Sequence, residues 1–385
     1  MISPQKIATG VLLILAAGVP FLGLGISVYF PILVFLLFKL VLRVQLHQGI
    51  ELPRWLQVSF LIWIVFLGVS ALNRQAPWFA MARDFAWLTS PWFSYAAGIL
   101  YKAVVGHRDT AREVNVIQWA SRVYLTAITV MLALARGNVF TVRDMGYFNT
   151  SIPFILISMS LVPGMSFSTP RDMLGWIITL VSMSRLNLIS VLPPYLFRKV
   201  TLRRVVVSTV VLALLVAVLW KVLPMTEAGR LFVEKFVEIL NEVFISDFQD
   251  MGDAYKYWRP FELLTGVNYY LGLPLLKQLI GNGLGAQLPL GGEFLLAGSL
   301  YSEIPILHNG ISFLFLKAGL AGILFTAWFL AKVAKGMSTA QKICFFIYVM
   351  LGALSITGPF HPQFSLLFFL VPILQSVKAK PLRPG

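Results

Sequence analysis

Charged side chains are scarce in this chain of 385 residues. Asp, Glu, Lys and Arg make up 12% of it, against about 25% in soluble globular proteins. Hydrophobic residues make up 58%, and the mean hydropathy is +0.81. A helix that spans a membrane needs about 20 apolar residues, so the chain has room for roughly a dozen spans. The composition therefore excludes an ordinary soluble domain and predicts an integral membrane protein.

Cysteine and histidine are also rare. The single cysteine, Cys344, cannot form an internal disulfide bond. The chain has four histidines, and no cluster of His, Asp or Glu in the segments predicted to lie outside the cell membrane has the spacing of a metal site. We therefore expect no metal ion and no cofactor.

Acidic residues are about half as frequent as basic ones, 16 against 31, and the net charge is +15. Nucleic-acid binding would gather the basic residues with aromatic side chains on one soluble face. Here they lie in short segments between apolar runs, and alternate segments are rich in Lys and Arg, as cytoplasmic loops are. The charge therefore indicates a membrane topology with both termini in the cytoplasm, and no nucleic-acid partner is expected.

Twelve apolar runs predict an all-α polytopic membrane protein, with a single integral membrane domain over residues 1–385. The seventh and eighth runs flank Arg185 and are short, so one tilted helix with a buried arginine is the alternative there. The runs cover about residues 7–25, 27–42, 58–73, 85–105, 117–135, 151–168, 173–184, 186–197, 205–223, 306–331, 343–358 and 364–377.

The connection at 224–305, between the ninth and tenth runs, is the one long loop. It contains ten acidic and five basic residues, the reverse of the balance in the whole chain, and the topology places it outside. Over residues 226–245 a stripe of apolar residues lies opposite Glu234, Glu238 and Glu242, which predicts an amphipathic helix on the membrane surface. A helix packed into the protein core is the other interpretation.

Three ionisable residues are candidates for catalysis, because such groups are costly in or beside a membrane. Arg185 separates two apolar runs and Arg259 lies in the outer loop. Their planar guanidinium groups suit the oxygens of a diphosphate. His308 lies at the outer end of the tenth run, where a neutral imidazole can accept a proton from an attacking hydroxyl.

Each candidate also has a structural interpretation. Arg185 could pair with Glu262 or Asp84, and Arg259 could form a surface ion pair with Glu262 one helical turn away. The histidine and the asparagine after it could cap a helix. The run Gly-Asn-Gly-Leu-Gly at 281–285 lacks the neighbours of a nucleotide-binding loop, so it predicts a tight turn.

Two blocks of the sequence resemble the O-antigen polymerase and O-antigen ligase superfamily of bacterial membrane glycosyltransferases. The first is Ser184-Arg185. The second block contains Trp258, Arg259, Glu262, Gly281, Gly283, Gly285, Ile304, Pro305, Leu307, His308, Asn309, Gly319 and Gly322. The resemblance covers about residues 182–325 and the predicted twelve-helix layout.

The resemblance implies a GT-C-like fold and glycosyl transfer from undecaprenyl diphosphate, without a metal, at the periplasmic face of the bacterial inner membrane. It implies that Arg185 and Arg259 bind the donor diphosphate and that His308 assists the acceptor hydroxyl. Expected partners are the lipid-linked glycan donor and acceptor, membrane lipids and a co-polymerase that regulates chain length. Further substrate-binding candidates are Asn309, Glu262 and Trp258, with Lys317 and Glu303 chosen on charge alone.

Within the superfamily the motifs look more like polymerases, which join lipid-linked repeat units of O-antigen, capsule or exopolysaccharide. The alternative is a ligase that transfers the glycan to lipid A-core, and the short segment 136–150 favours it, since some polymerases carry a second long outer loop there. A lipid or sugar transporter is the rival from another class. It would require paired broken helices and internal pseudosymmetry, which the sequence does not show.

Overall fold

The computed structural model describes residues 10–11, 29–45, 51–71, 76–105, 248, 251–296, 299–305, 309–355, 360 and 365–375. Most of the described residues are helical. Several predictions lie outside them: the amphipathic helix at 226–245, the five apolar runs between 117 and 223, Arg185 and His308.

Six of the predicted apolar runs coincide with helices, which confirms their helical nature. By length and apolar composition, one helix of the described part, Gly310–Ala334, could cross a membrane. The twelve-span arrangement stays a prediction. The described elements are α1 (Phe30–Gln45), α2 (Arg54–Ala71), α3 (Trp78–Val105), α4 (Met251–Lys256), α5 (Trp258–Leu271), α6 (Leu275–Ile280), β1 (Leu288–Leu296), β2 (Ser299–Ile304), α7 (Gly310–Ala334), α8 (Thr339–Ser355) and α9 (Leu366–Gln375).

The connection at 224–305 contains a two-stranded antiparallel hairpin that the all-α prediction lacked. Strands β1 and β2 pair from Leu288 opposite Ile304 to Leu296 opposite Ser299, with an irregularity between Pro289 and Phe294. The strands are short and β2 buries only Ile304, so neither produces a long apolar run. A search for membrane-length runs therefore misses them, and the all-α prediction is corrected, for the described residues, to mainly α with one hairpin.

Helices α2 and α3 are joined by two indole hydrogen bonds inside an aromatic core. Trp63 on α2 donates to the Leu88 carbonyl of α3 over 3.1 Å, and Trp92 on α3 donates to the Ser59 hydroxyl of α2 over 3.2 Å. The two indole rings stack with centroids 5.4 Å apart, and Trp92 lies 4.1 Å from Phe329 of α7. Polar tips with buried partners allow such large rings to fill the core without leaving a donor unsatisfied.

Helix α7 is broken at Gly319, which has φ +62° and ψ −163°. The carbonyls of Leu316 and Lys317 precede the break, and their usual partners, four residues on, follow it. Both carbonyls accept hydrogen bonds from the glycine run instead: Asn282 N–H donates to Leu316 over 2.8 Å and Gly283 N–H to Lys317 over 3.1 Å. The predicted turn is thus docked on the break in α7.

Replacement of Gly281 by alanine is expected to undo this docking. Gly281 has φ +77°, and a Cβ there would lie 2.6 Å from the Lys317 carbonyl oxygen. Gly291 is a matched control, because it also has φ +77° but has open space around it. We expect Gly291→Ala to cost about 1–2 kcal/mol for its backbone conformation, and Gly281→Ala to cost about 1–3 kcal/mol more for overpacking.

Thermal unfolding of the detergent-purified variants measures both costs. Equal melting temperatures for the two alanine variants would show that the loop does not depend on its contact with α7.

Candidate functional site

A buried ion pair connects α3 to α7. The carboxylate of Asp84 and the ammonium of Lys317 are both fully buried and bond directly through Asp84 Oδ2. The same oxygen accepts the Gly285 N–H over 2.8 Å. Lys317 also donates to the Ala286 carbonyl and lies 5.7 Å from the centre of the Phe313 ring. The pair thus fixes three segments to one another: α3, the glycine run and the first half of α7.

Arg83 binds the other oxygen of the same carboxylate. Its Nε and Nη2 lie 3.3 and 3.1 Å from Asp84 Oδ1. The Arg83 side chain keeps 25% of its surface exposed, whereas Asp84 and Lys317 keep none. Asp84 is therefore satisfied on both oxygens, and Arg83 is the member of this cluster that reaches the protein surface.

The glycine run bends sharply because three of its residues have left-handed backbones. Gly281, Gly283 and Gly285 have φ of +77°, +87° and +78°, values that side chains rarely allow. A Cβ at Gly285 would meet Ala76 and Met81 at the start of α3. The glycine run therefore lies between α3 and α7, next to the contact between Asp84 and Lys317.

The start of α7 is capped by Asn309. Its Oδ1 accepts the N–H groups of Ile311 and Ser312, each over 3.0 Å, and the asparagine itself is buried. This is the capping role that the sequence analysis gave as the alternative to substrate binding.

Helix α5 supplies three predicted residues and packs against α7 and β1. Glu262 is fully buried and Arg259 is exposed one turn before it. Trp258 is half-buried, with its ring 5.6 Å from those of Phe261 and Phe294. Helix α5 approaches α7 closely at Gly266, where a Cβ would lie 3.3 Å from the Cβ of Ser312.

Tyrosines at the end of α5 hold the turn into the glycine run. The Asn282 amide donates to the Tyr269 hydroxyl over 3.1 Å, and the Tyr270 hydroxyl donates to the Gln278 carbonyl over 2.8 Å. Desolvation raises the pKa of the Tyr270 phenol above its ordinary value of 10.0, so this phenol is neutral at physiological pH.

The structure therefore brings part of the predicted site together. Glu262, Asn309 and Lys317 lie on two packed helices, and the glycine run lies on the second of them. Glu303 is exposed on β2, where it lies opposite Pro289 of β1. Lys317, chosen on charge alone, is buried against Asp84, so its geometry is that of a positioning residue. Asp84, considered as a partner for Arg185, pairs with Lys317 and Arg83, and Arg185 itself lies outside the described residues.

Arg83 and the pairing of Asp84 with Lys317 were missed by the sequence analysis. The available signal was the position of two adjacent charges just before an apolar run of α3, and of one lysine inside the apolar run of α7. Their separation of 233 residues conceals the pairing. Within the described residues no three His, Cys, Asp or Glu side chains are grouped as ligands for a metal ion.

The sequence matches no protein-family model, and it finds no significant match among the curated proteins. The resemblance to the O-antigen superfamily therefore depends on the motif residues themselves.

Removal of one partner of the buried pair is expected to destabilise the fold more than removal of both. Lys317→Met and Asp84→Leu each leave a buried group without its main partner, at a cost of about 3–5 kcal/mol. The double variant Asp84→Leu/Lys317→Met leaves no such charge, so it should be more stable than the sum of two single changes predicts. Lys335→Met, exposed just after α7, is the matched control and should change stability by less than about 0.5 kcal/mol.

Melting temperatures of the four variants form the test. Strictly additive losses would contradict a direct ion pair between Asp84 and Lys317.

The cap of α7 predicts a contrast between two substitutions of Asn309. Asn309→Ala removes the acceptor for two N–H groups and should cost about 1 kcal/mol. Asn309→Asp keeps an acceptor oxygen and adds a negative charge at a helix N-terminus, so its melting temperature should equal or exceed that of the parent. A lower melting temperature for the aspartate variant than for the alanine variant would contradict the capping role.

Proposed function

We propose that this protein is a membrane glycosyltransferase that polymerises undecaprenyl-diphosphate-linked oligosaccharide repeat units. The proposal includes a GT-C-like fold with about twelve spans, both termini in the cytoplasm and an active site at the periplasmic face of the inner membrane. The composition supports the membrane location, because 58% of the residues are hydrophobic and 12% are charged.

The observation that carries the proposal is the convergence of the motif residues of the C-terminal block. Helix α5, with Trp258 and Glu262, packs on α7, and the glycine run binds the carbonyls at the break of α7. Asn309 caps the same helix. Residues quoted for the resemblance thus lie in one packed unit, as the parts of one active site must.

The broken helix also supports a functional site. In a membrane, backbone groups released from a helix require other partners, so interrupted helices occur where protein lines a site or a cavity. A buried lysine and aspartate in such a place are costly and point to function in the same way. Helix α7 has both features within the span of Lys317 and Gly319.

The chemistry proposed for this unit is displacement of a lipid diphosphate by a sugar hydroxyl. Cleavage leaves negative charge on the diphosphate, and fixed guanidinium groups stabilise such charge in a site with little water. Arg185 and Arg259 are proposed for this role. His308, next to the capped start of α7, is proposed to accept the proton of the acceptor hydroxyl.

A ligase that transfers the glycan to lipid A-core would use the same donor chemistry. The short segment 136–150 is the observation in its favour. The acceptor therefore separates the two functions, since both begin with the same lipid diphosphate.

Purified protein given a lipid-linked repeat unit is expected to produce a ladder of longer lipid-linked glycans, with no loss on addition of EDTA. His308→Ala and Arg185→Ala should each lower the rate by about 100-fold or more, as loss of a general base or of a charge-stabilising donor does. His47→Ala, in a segment predicted to be cytoplasmic, is the matched control and should keep the full rate. Gel analysis of the glycan products measures all four.

A second reaction contains lipid A-core as the sole acceptor. Transfer to lipid A-core without a ladder in the first reaction would replace the polymerase by the ligase. Product formation in neither reaction, by a protein with a normal melting temperature, would contradict both.

A further inference from the structure

We propose that Arg83 is a diphosphate-binding residue, placed by Asp84 at the surface beside the glycine run. This inference depends on the proposed function, since it adds a binding residue for the lipid diphosphate of that reaction. It comes from the geometry of α3, in the part of the chain to which the superfamily resemblance contributes only hydropathy.

The charge of Arg83 is the first property that suits it to bind an anion. Asp84 is a single carboxylate, and the fully buried Lys317 already forms an ion pair with it. Two buried opposite charges balance each other, as such pairs must to offset the cost of desolvation. The guanidinium of Arg83 is a second cation on the same carboxylate, and it has no acidic partner of its own among the described residues. Its positive charge therefore remains available to an anion.

The number of N–H donors that Arg83 retains is the second such property. A guanidinium carries five N–H donors, and Arg83 uses its Nε and Nη2 on Asp84 Oδ1. The remaining donors form no hydrogen bond with the described part of the chain, and a quarter of the side chain is exposed. Arginine held on one edge by a carboxylate is pre-oriented, so it loses little freedom when its other edge binds phosphate oxygens.

The position of Arg83 relative to the proposed site is the third such property. The neighbouring Asp84 accepts the Gly285 N–H over 2.8 Å, which places this end of α3 against the glycine run. The same carboxylate binds Lys317, two turns along α7 from the cap at Asn309, or about 12 Å along the helix axis. A lipid-linked sugar diphosphate is long enough to bind Arg83 through its phosphates while its sugar lies nearer the start of α7.

The ligand class is a diphosphate carried by a lipid. A planar fork with several free donors matches the paired oxygens of a diphosphate, and a lipid tail would contact the apolar surface of neighbouring helices. The same head group also exists as free pyrophosphate, and an anionic phospholipid offers a single phosphate. The test compares these three sources directly.

The test measures binding to the full-length protein in detergent by titration calorimetry. The probes are farnesyl diphosphate, inorganic pyrophosphate and phosphatidylglycerol. We expect Arg83→Gln to raise the Kd for farnesyl diphosphate and for pyrophosphate by the same factor, about tenfold to a hundredfold, because each loses the same charge-assisted hydrogen bonds. Arg54→Gln, exposed at the start of α2, is the matched control and should leave the Kd unchanged.

A second variant tests the same role of Arg83 if Arg83→Gln does not fold. Arg83→Lys retains the charge but replaces the fork by a single ammonium, so we expect a several-fold weaker Kd for farnesyl diphosphate. If the parent protein binds farnesyl diphosphate and both Arg83 variants bind it with the same Kd, the role of Arg83 is overturned and the proposed glycosyl transfer stays intact. Weakened binding of phosphatidylglycerol alone would overturn it as well.

Failure of the parent protein to bind either diphosphate would have a different meaning. It would remove the donor of the proposed reaction, and the inference about Arg83 would fail with it.

Discussion

The buried pair of Asp84 and Lys317 is the interaction on which the described part of the protein depends. Each charge costs several kcal/mol to remove from water, and this cost is recovered only when all hydrogen-bonding positions are filled. Here Asp84 is bound by Lys317, Arg83 and the Gly285 amide, and Lys317 also donates to Ala286. The pair therefore stabilises one arrangement of α3, the glycine run and α7, since any other arrangement would leave a buried charge unsatisfied.

The break in α7 and the glycine run depend on each other. Without the break at Gly319, the Leu316 and Lys317 carbonyls would be occupied within the helix; without left-handed backbones at 281–285, the run could not present its amides to them. The glycine run lies 34 to 38 residues before Gly319 in the chain. Its amides satisfy the carbonyls that the break releases from α7. The apolar helix α7 is thus interrupted at Gly319, two residues after the Lys317 that pairs with Asp84.

The sequence predicted the helices far better than it predicted the site. Long apolar runs at 58–73 and 306–331 became α2 and α7 because hydrophobic length alone determines where such helices form. The hairpin escaped notice because its strands are short and β2 is mostly exposed. The glycine run was predicted as a turn, yet its partner carbonyls on α7 were not, because a break at Gly319 has no periodicity to reveal it. The pairing of Asp84 with Lys317 could not be found from spacing, as residues so distant in sequence meet only through the packing of α3 and α7.

The order of synthesis gives the separation of this pair a further consequence. Asp84 emerges from the ribosome 233 residues before Lys317, a delay of roughly 10–50 s at ordinary elongation rates. During that interval Asp84 has Arg83 beside it, but it lacks the buried ammonium of Lys317 with which it pairs in the folded protein. The indole contacts between α2 and α3 can therefore form at once, whereas the ion pair and the contact of Trp92 with Phe329 must wait until α7 has been translated.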